Sequence, residues 1–110
     1  MKFKRGDIIL TATPGDYGKP RPSLVIQSDL FAALPSVTFC MLTTTVRPDQ
    51  PVIRITIDPS PANGLRQRSQ IAIDKITTQP VERITKVIGQ ASDATMADVT
   101  RALALFLGVG

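Results

Sequence analysis

Residues 15–29 read GDYGKPRPSLVIQSD, with two prolines bracketing Arg21 at the mouth of an apolar run, Leu24-Val25-Ile26. Proline fixes φ and cannot donate to a sheet ladder, so Pro20 and Pro22 stiffen the approach to a strand. The strand itself is expected over Ser23–Gln27. A turn-rich loop, Pro14 to Pro20, sets it apart from a first strand over Ile8–Ala12, which Gly6-Asp7 opens. One arginine is therefore held rigidly beside a buried strand, in a chain with no histidine.

Working outward, Val37–Thr44 is a third strand, nearly continuous in apolar or β-branched residues. Asp29–Leu34 forms one helical turn before Pro35. Val52–Ile57 alternates, with Ile53, Ile55 and Ile57 on one face and Arg54 and Thr56 on the other. Pro59, Pro61, Asn63 and Gly64 mark a loop. Gln70–Ile73 and Arg83–Gly89 are two further short strands. The end, SDATMADVTRALALFLGVG, is a helix with Ser92 as N-cap, Asp93 in the first turn and Gly108 as C-cap. Met96, Val99, Leu103 and Phe106 recur along it at helical spacing. Many short strands and one closing helix define a mostly β (α+β) fold. It is a small, strongly bent antiparallel sheet or SH3-like half-barrel carrying a C-terminal α-helix, and residues 1–110 form one domain.

Tryptophan is absent and aromatics make up only 5%, so the core must be aliphatic. No apolar run approaches membrane-spanning length, and MKFKRGD leads into too short an apolar stretch for a signal peptide. No membrane association is expected, and a bacterial-type cytoplasm is. The single cysteine, Cys40, lies in VTFCML and reads as a buried, inert thiol. A net charge of +4 favours polyanionic partners: nucleic acid, acidic protein or a membrane surface.

The absence of histidine removes the usual neutral-pH acid–base group. There is no H-E-x-x-H, cysteine pair or P-loop, so neither a metal nor another cofactor is expected. Arginine, lysine, aspartate and hydroxyls remain. That set can act on a phosphodiester when the substrate brings its own nucleophile, such as a ribose 2′-hydroxyl. Guanidinium forks match phosphate oxygens and stabilise charge that develops in the transition state.

RGDIIL (5–10), KPRPSLVIQSD (19–29), MLTTT (41–45) and SQIAIDK (69–75), followed by SDATMADVTRALALFLG (92–108), resemble the MazF/PemK/Kid toxins across nearly the whole chain. The resemblance implies the CcdB/PemK-like fold and the toxin half of a type II toxin–antitoxin pair. It further implies a dimeric, metal-independent endoribonuclease that cuts single-stranded RNA, leaving 2′,3′-cyclic phosphate and 5′-hydroxyl ends. The family's catalytic arginine and threonine fall on Arg21 and Thr43. Arg21 would hold the scissile phosphate and supply a proton to the departing 5′-oxygen, and Thr43 would hydrogen-bond phosphate or ribose. The plainer readings are a surface ion pair for Arg21, with Asp16 or Asp29, and simple β-propensity for Thr43, with Thr44 or Thr45 as the partner instead.

Ser69 and Asp74 match the family's Ser-x4-Asp-Gln pattern, with Lys75 in place of the glutamine. Asp74 would orient Arg21 or contact a base, or else it merely ends a strand. Arginines that some members carry near this aspartate are replaced by Ala72 and Thr77. A first-loop histidine of some members is also missing, with Tyr17 nearby. Lys19, Arg47, Arg66 and Arg68 suit an RNA-binding rim, and Tyr17 a base stack; the alternatives are solvated loops and packing. The implied partners are RNA, a second copy of the chain, and a cognate antitoxin with an acidic tail. Leu105 and Leu107, off the main helix stripe, are candidate dimer or antitoxin contacts, or else core residues. The alternative is a CcdB-like gyrase poison, a function that depends on a tryptophan-containing tail which this chain lacks. A third reading is RNA binding without cleavage.

Overall fold

Runs of Ile, Leu, Val and Thr too short for helices fit a pleated, half-buried surface. In the computed structural model, which describes residues 2–12 and 19–110, they form β1 (Asp7–Thr11), β2 (Arg21–Val25) and β3 (Ser36–Thr43). β4 (Arg54–Ile57), β5 (Ser69–Pro80) and β6 (Ile84–Gln90) follow, and α1 (Asp93–Leu107) closes the chain. The strands make one antiparallel sheet in the order β4-β5-β3-β2-β1-β6.

Both faces of this sheet are buried, which is why its central strands read as unbroken apolar runs. Successive strand residues point to opposite faces, so Ile8, Leu24 and Cys40 join Leu42, Ile71 and Ile73 beneath Val99, Ala102 and Leu103 of α1. Their neighbours Ile9, Val25 and Phe39 join Phe3, Val37 and Ile84 in a second cluster. Register shifts along β1–β6, between Ile8 and Ile9 and again between Leu10 and Thr11, bend the sheet as bulges do. The expected bent sheet with a terminal helix is thus present.

Ser92 caps α1 by accepting from the Thr95 N–H at 3.1 Å, and Gly108 ends it in the left-handed region at φ 70°. Arg5 ties the helix to the sheet, its guanidinium donating to the Ile26 carbonyl and to Thr100 Oγ1. Phe106, expected on the buried stripe, is 46% exposed, and Ala102 takes its place in the core.

β5 is also longer than the four residues expected. Leu42 pairs with Ile71 but Cys40 pairs with Ile76, so Ala72, Ile73, Asp74 and Lys75 bulge opposite Met41 alone. Beyond the bulge the polar stretch Thr77-Thr78-Gln79 continues the pairing with β3.

Burial at Cys40 pushes the thiol up to about 12, with the Asp74 charge adding to the effect and Arg5 opposing it. A thiol held protonated and solvent-free is a poor nucleophile. Native protein at pH 8 should therefore leave a thiol-exchange dye unreacted and release one equivalent only after unfolding in guanidinium. Rapid labelling of the native protein would contradict this placement.

Candidate active site

Sheet register brings the two principal candidates together. Ser23 lies opposite Met41 across β2–β3, and Arg21 and Thr43 each lie two residues further along their strands, on that same face. Both line a cavity of about 400 Å³, with Met41, Thr45, Arg47, Arg54, Ala72 and Lys75 around them. The same alternation sends Pro20 and Pro22 to the other side, where they line a separate cavity with Thr44, Arg66, Ser69 and Lys86. The proline bracket therefore stiffens the strand without occupying the space in front of Arg21. Thr44 is turned away from Arg21's cavity, while Thr43 and Thr45 face it.

Thr43 Oγ1 accepts from the Thr45 N–H at 3.1 Å, a turn-forming bond that leaves the hydroxyl proton for a ligand. Arg47 is placed by Gln70, which is 2% exposed. Gln70 Oε1 accepts from the Arg47 N–H at 2.8 Å, and its Nε2 donates to Thr56 Oγ1 at 3.2 Å. A buried amide satisfied at both ends fixes the loop after β3, and with it the wall of the cavity. Neither Gln70 nor Arg54 stands among the sequence candidates. The signal for Arg54 is a cation on the polar face of an alternating strand, which reads equally as a solvated edge.

Asp74, expected either to work on Arg21 or a base or to end a strand, instead sits within the β5 bulge and forms an ion pair with Arg54. Burial raises its carboxyl, but hydrogen bonds from Arg54 and its own backbone, with the charges of Arg54 and Lys75, outweigh that and hold it below the ordinary 3.8. A depressed folded-state value means the pair's contribution is complete above the unfolded value and is lost as pH falls through the folded one. Asp74→Asn should cost about 1.5–3 kcal/mol near neutrality, as charge-assisted hydrogen bonds do. The gap between the two proteins in urea should close on acidification below the ordinary 3.8. A gap that stays constant through that range would contradict the pairing.

The remaining candidates separate. Arg68 pairs with Asp58 at 3.2 Å, both well exposed. Ser69 is buried and its hydroxyl donates to the Gln67 carbonyl at 3.0 Å, shaping the loop before β5. Lys19 is exposed just ahead of β2, and Arg66 belongs to the second cavity. Tyr17 lies outside the described residues.

Among the described residues, four cationic side chains thus line Arg21's cavity and no carboxylate does. Guanidiniums stay charged at any working pH and present several donors in a fixed plane. Such a cavity suits a phosphate group with hydroxyls beside it. Among the described residues no cluster of His, Cys, Asp or Glu could hold a metal ion, and no helix is long and apolar enough to cross a membrane.

The chain belongs to the family of PemK-like, MazF-like toxins of type II toxin–antitoxin systems, whose pattern residues 4–107 match. Over 108 residues it is 46% identical to a probable endoribonuclease MazF of Mycolicibacterium smegmatis, covering 97% of this chain and 98% of that protein. Its fold matches the Mycobacterium tuberculosis toxin MazF-mt6 with a TM-score of 0.79 at 25% identity, over 94% of this chain and 98% of that one. It also matches a mycobacterial endoribonuclease in complex with its cognate antitoxin, TM-score 0.81 at 24% identity, over 98% and 97% of the two chains. The match falls on the PemK/MazF side of the fold rather than on the gyrase-poison side.

Proposed function

We propose that this toxin is an endoribonuclease that cleaves single-stranded RNA at the Arg21–Thr43 cavity without a metal ion. The observation that carries the reading is one cavity that a proline-stiffened guanidinium and a hydroxyl from the neighbouring strand share with further cations. The 2′-oxygen attacks the adjacent phosphorus, the P–O5′ bond breaks, and a 2′,3′-cyclic phosphate forms. The 2′-hydroxyl gives up one proton and the 5′-oxygen gains one, so the reaction consumes no water. Arg21 neutralises the phosphorane oxygens and hydrogen-bonds the departing 5′-oxygen; Thr43 Oγ1 donates to the phosphate or ribose. Arg47 and Lys75, which line the same cavity, hold the flanking backbone, and Lys19, exposed just ahead of β2, extends the cationic rim.

On this reading residues 1–110 act as one toxin domain in the cytoplasm, paired two-fold with a second copy. A cognate antitoxin would cover the cationic cavity with an acidic segment. Leu105 and Leu107, 70% and 58% exposed at the end of α1, offer apolar contacts for these partners.

The test is digestion of a long, weakly structured RNA in EDTA, with analysis of the fragment ends. Cyclic phosphate at the 3′ side, 5′-hydroxyl at the other, and no cleavage of the matching DNA are expected. Intact RNA across many sequences, or cleavage that EDTA abolishes, would overturn the reading.

A further inference from the structure

We propose that Arg54 is a second guanidinium on the scissile phosphate, with Asp74 as the residue that positions it. The inference rests on the ribonuclease reading of the Arg21–Thr43 cavity, which Arg54 also lines.

The first argument is register. Arg54 of β4 pairs with Ala72 of β5, so the two side chains share a sheet face, and it is the face that carries Thr43 on β3. At Ala72 the side chain is a single methyl. A larger residue there would fill the space between β4 and the cavity; the alanine leaves it to the arginine from the next strand.

Burial supplies the second. The Arg54 side chain is only 9% exposed, unusual for a residue that is ordinarily at the surface. One terminal nitrogen, Nη1, donates to Asp74 Oδ1 and to the Ile53 carbonyl, the latter at 3.2 Å. Nε is buried without a partner among the described residues. A buried donor left unmade is a cost to the fold, and an arginine retained under that cost points to use by a ligand. Anchoring at Nη1 leaves the rest of the fork to meet a phosphate oxygen in a set geometry, the arrangement that electrostatic stabilisation of a transition state requires.

The β5 bulge is the third. Asp74 lies within it, two residues beyond Arg54's partner Ala72 and so on the same face, and forms the ion pair with Arg54. Arg54 thus acts on substrate, whereas Asp74 acts through Arg54.

Arg54→Gln should lower single-turnover RNA cleavage about a hundredfold at saturating substrate. Its affinity for an uncleavable 2′-O-methyl RNA should stay within about threefold, because one of several phosphate contacts is lost. Should Arg54→Gln fail to fold, Arg54→Lys keeps a charge for Asp74 but loses the fork, and a drop of at least about tenfold is expected. Asp74→Asn should lower the maximal rate with little change in the substrate concentration for half-maximal rate. A purely structural pair would leave the surviving folded enzyme's maximal rate unchanged. The Arg54 Nε–H resonance in a ¹⁵N spectrum should shift when the 2′-O-methyl RNA binds and should stay put with free ribose. Parent-like rates in Arg54→Gln or Arg54→Lys, or an Nε–H signal indifferent to RNA, would overturn the proposal while leaving Arg21 catalysis standing. A parent protein that cleaves no RNA would overturn the ribonuclease reading itself.

Discussion

Arg21→Ala should lower RNA cleavage about a thousandfold at saturating substrate, comparable to the loss of one transition-state donor elsewhere. The thermal midpoint should move by no more than a few degrees. Arg21 is exposed at the first position of β2, and a contact made by an exposed charge is worth only about 0–1 kcal/mol. Activity and stability therefore separate at this residue, which they would not do at a buried one. Arg21→Lys sharpens the expectation: an ammonium keeps the charge but not the planar fork, so cleavage should recover only partly, by about tenfold over alanine. Pro22→Ala gives a related check on positioning, since a looser strand entry should lower the rate without changing the charge. End-group analysis with matched protein concentrations measures all three. Full activity in Arg21→Ala would move the chemistry to another residue of the cavity.

Elements with local signals are legible in the sequence itself. Ser92 and Gly108 mark the two ends of α1 because capping depends on a few adjacent residues. β1, β2 and β3 are apolar on both faces because both faces are buried, and an unbroken run reveals that directly. The tail of β5 is hidden: Thr77-Thr78-Gln79 carries no hydrophobic signal, and its pairing is with β3, more than thirty residues away. The bulge is hidden for the same reason, since it exists only as a mismatch between two strands. Arg21 and Thr43 are legible through a family resemblance, and their juxtaposition follows from register. Arg54 is not legible. Its placement depends on Ala72 being small and on Asp74 standing beside it on the neighbouring strand, facts of the pairing of β4 with β5 that neither segment shows alone. Gln70 escapes in the same way, as a polar residue in a short strand that turns out to pin a loop.

The largest stability effect is expected at Gly64. Its φ is +68°, a region that costs an L-residue roughly 1–2 kcal/mol. A Cβ there would also lie 2.1 Å from the Ile88 carbonyl oxygen, a backbone atom that cannot swing aside. The loop has little freedom to retreat. Asn63, 5% exposed, accepts from the Ser60 and Leu65 N–H groups at 3.0 Å each and donates to the Asp58 carbonyl at 2.8 Å. The Gln90 N–H donates to the Ala62 carbonyl at 2.8 Å, fastening the loop to β6. Relieving the clash must lengthen these bonds or displace β6, and overpacking of this kind costs about 1–3 kcal/mol more. Gly64→Ala should therefore lose roughly 4 kcal/mol in all, a large share of the ~5–15 kcal/mol that holds a domain together. The thermal midpoint should fall by about 15 °C or more. Gly108 supplies the control, because its φ of +70° is nearly the same yet a Cβ there would meet nothing within 4 Å. Gly108→Ala should cost only the backbone term, about 1–2 kcal/mol. Equal losses at the two glycines would show that the left-handed conformation alone matters, and that the contact of the loop with β6 contributes nothing.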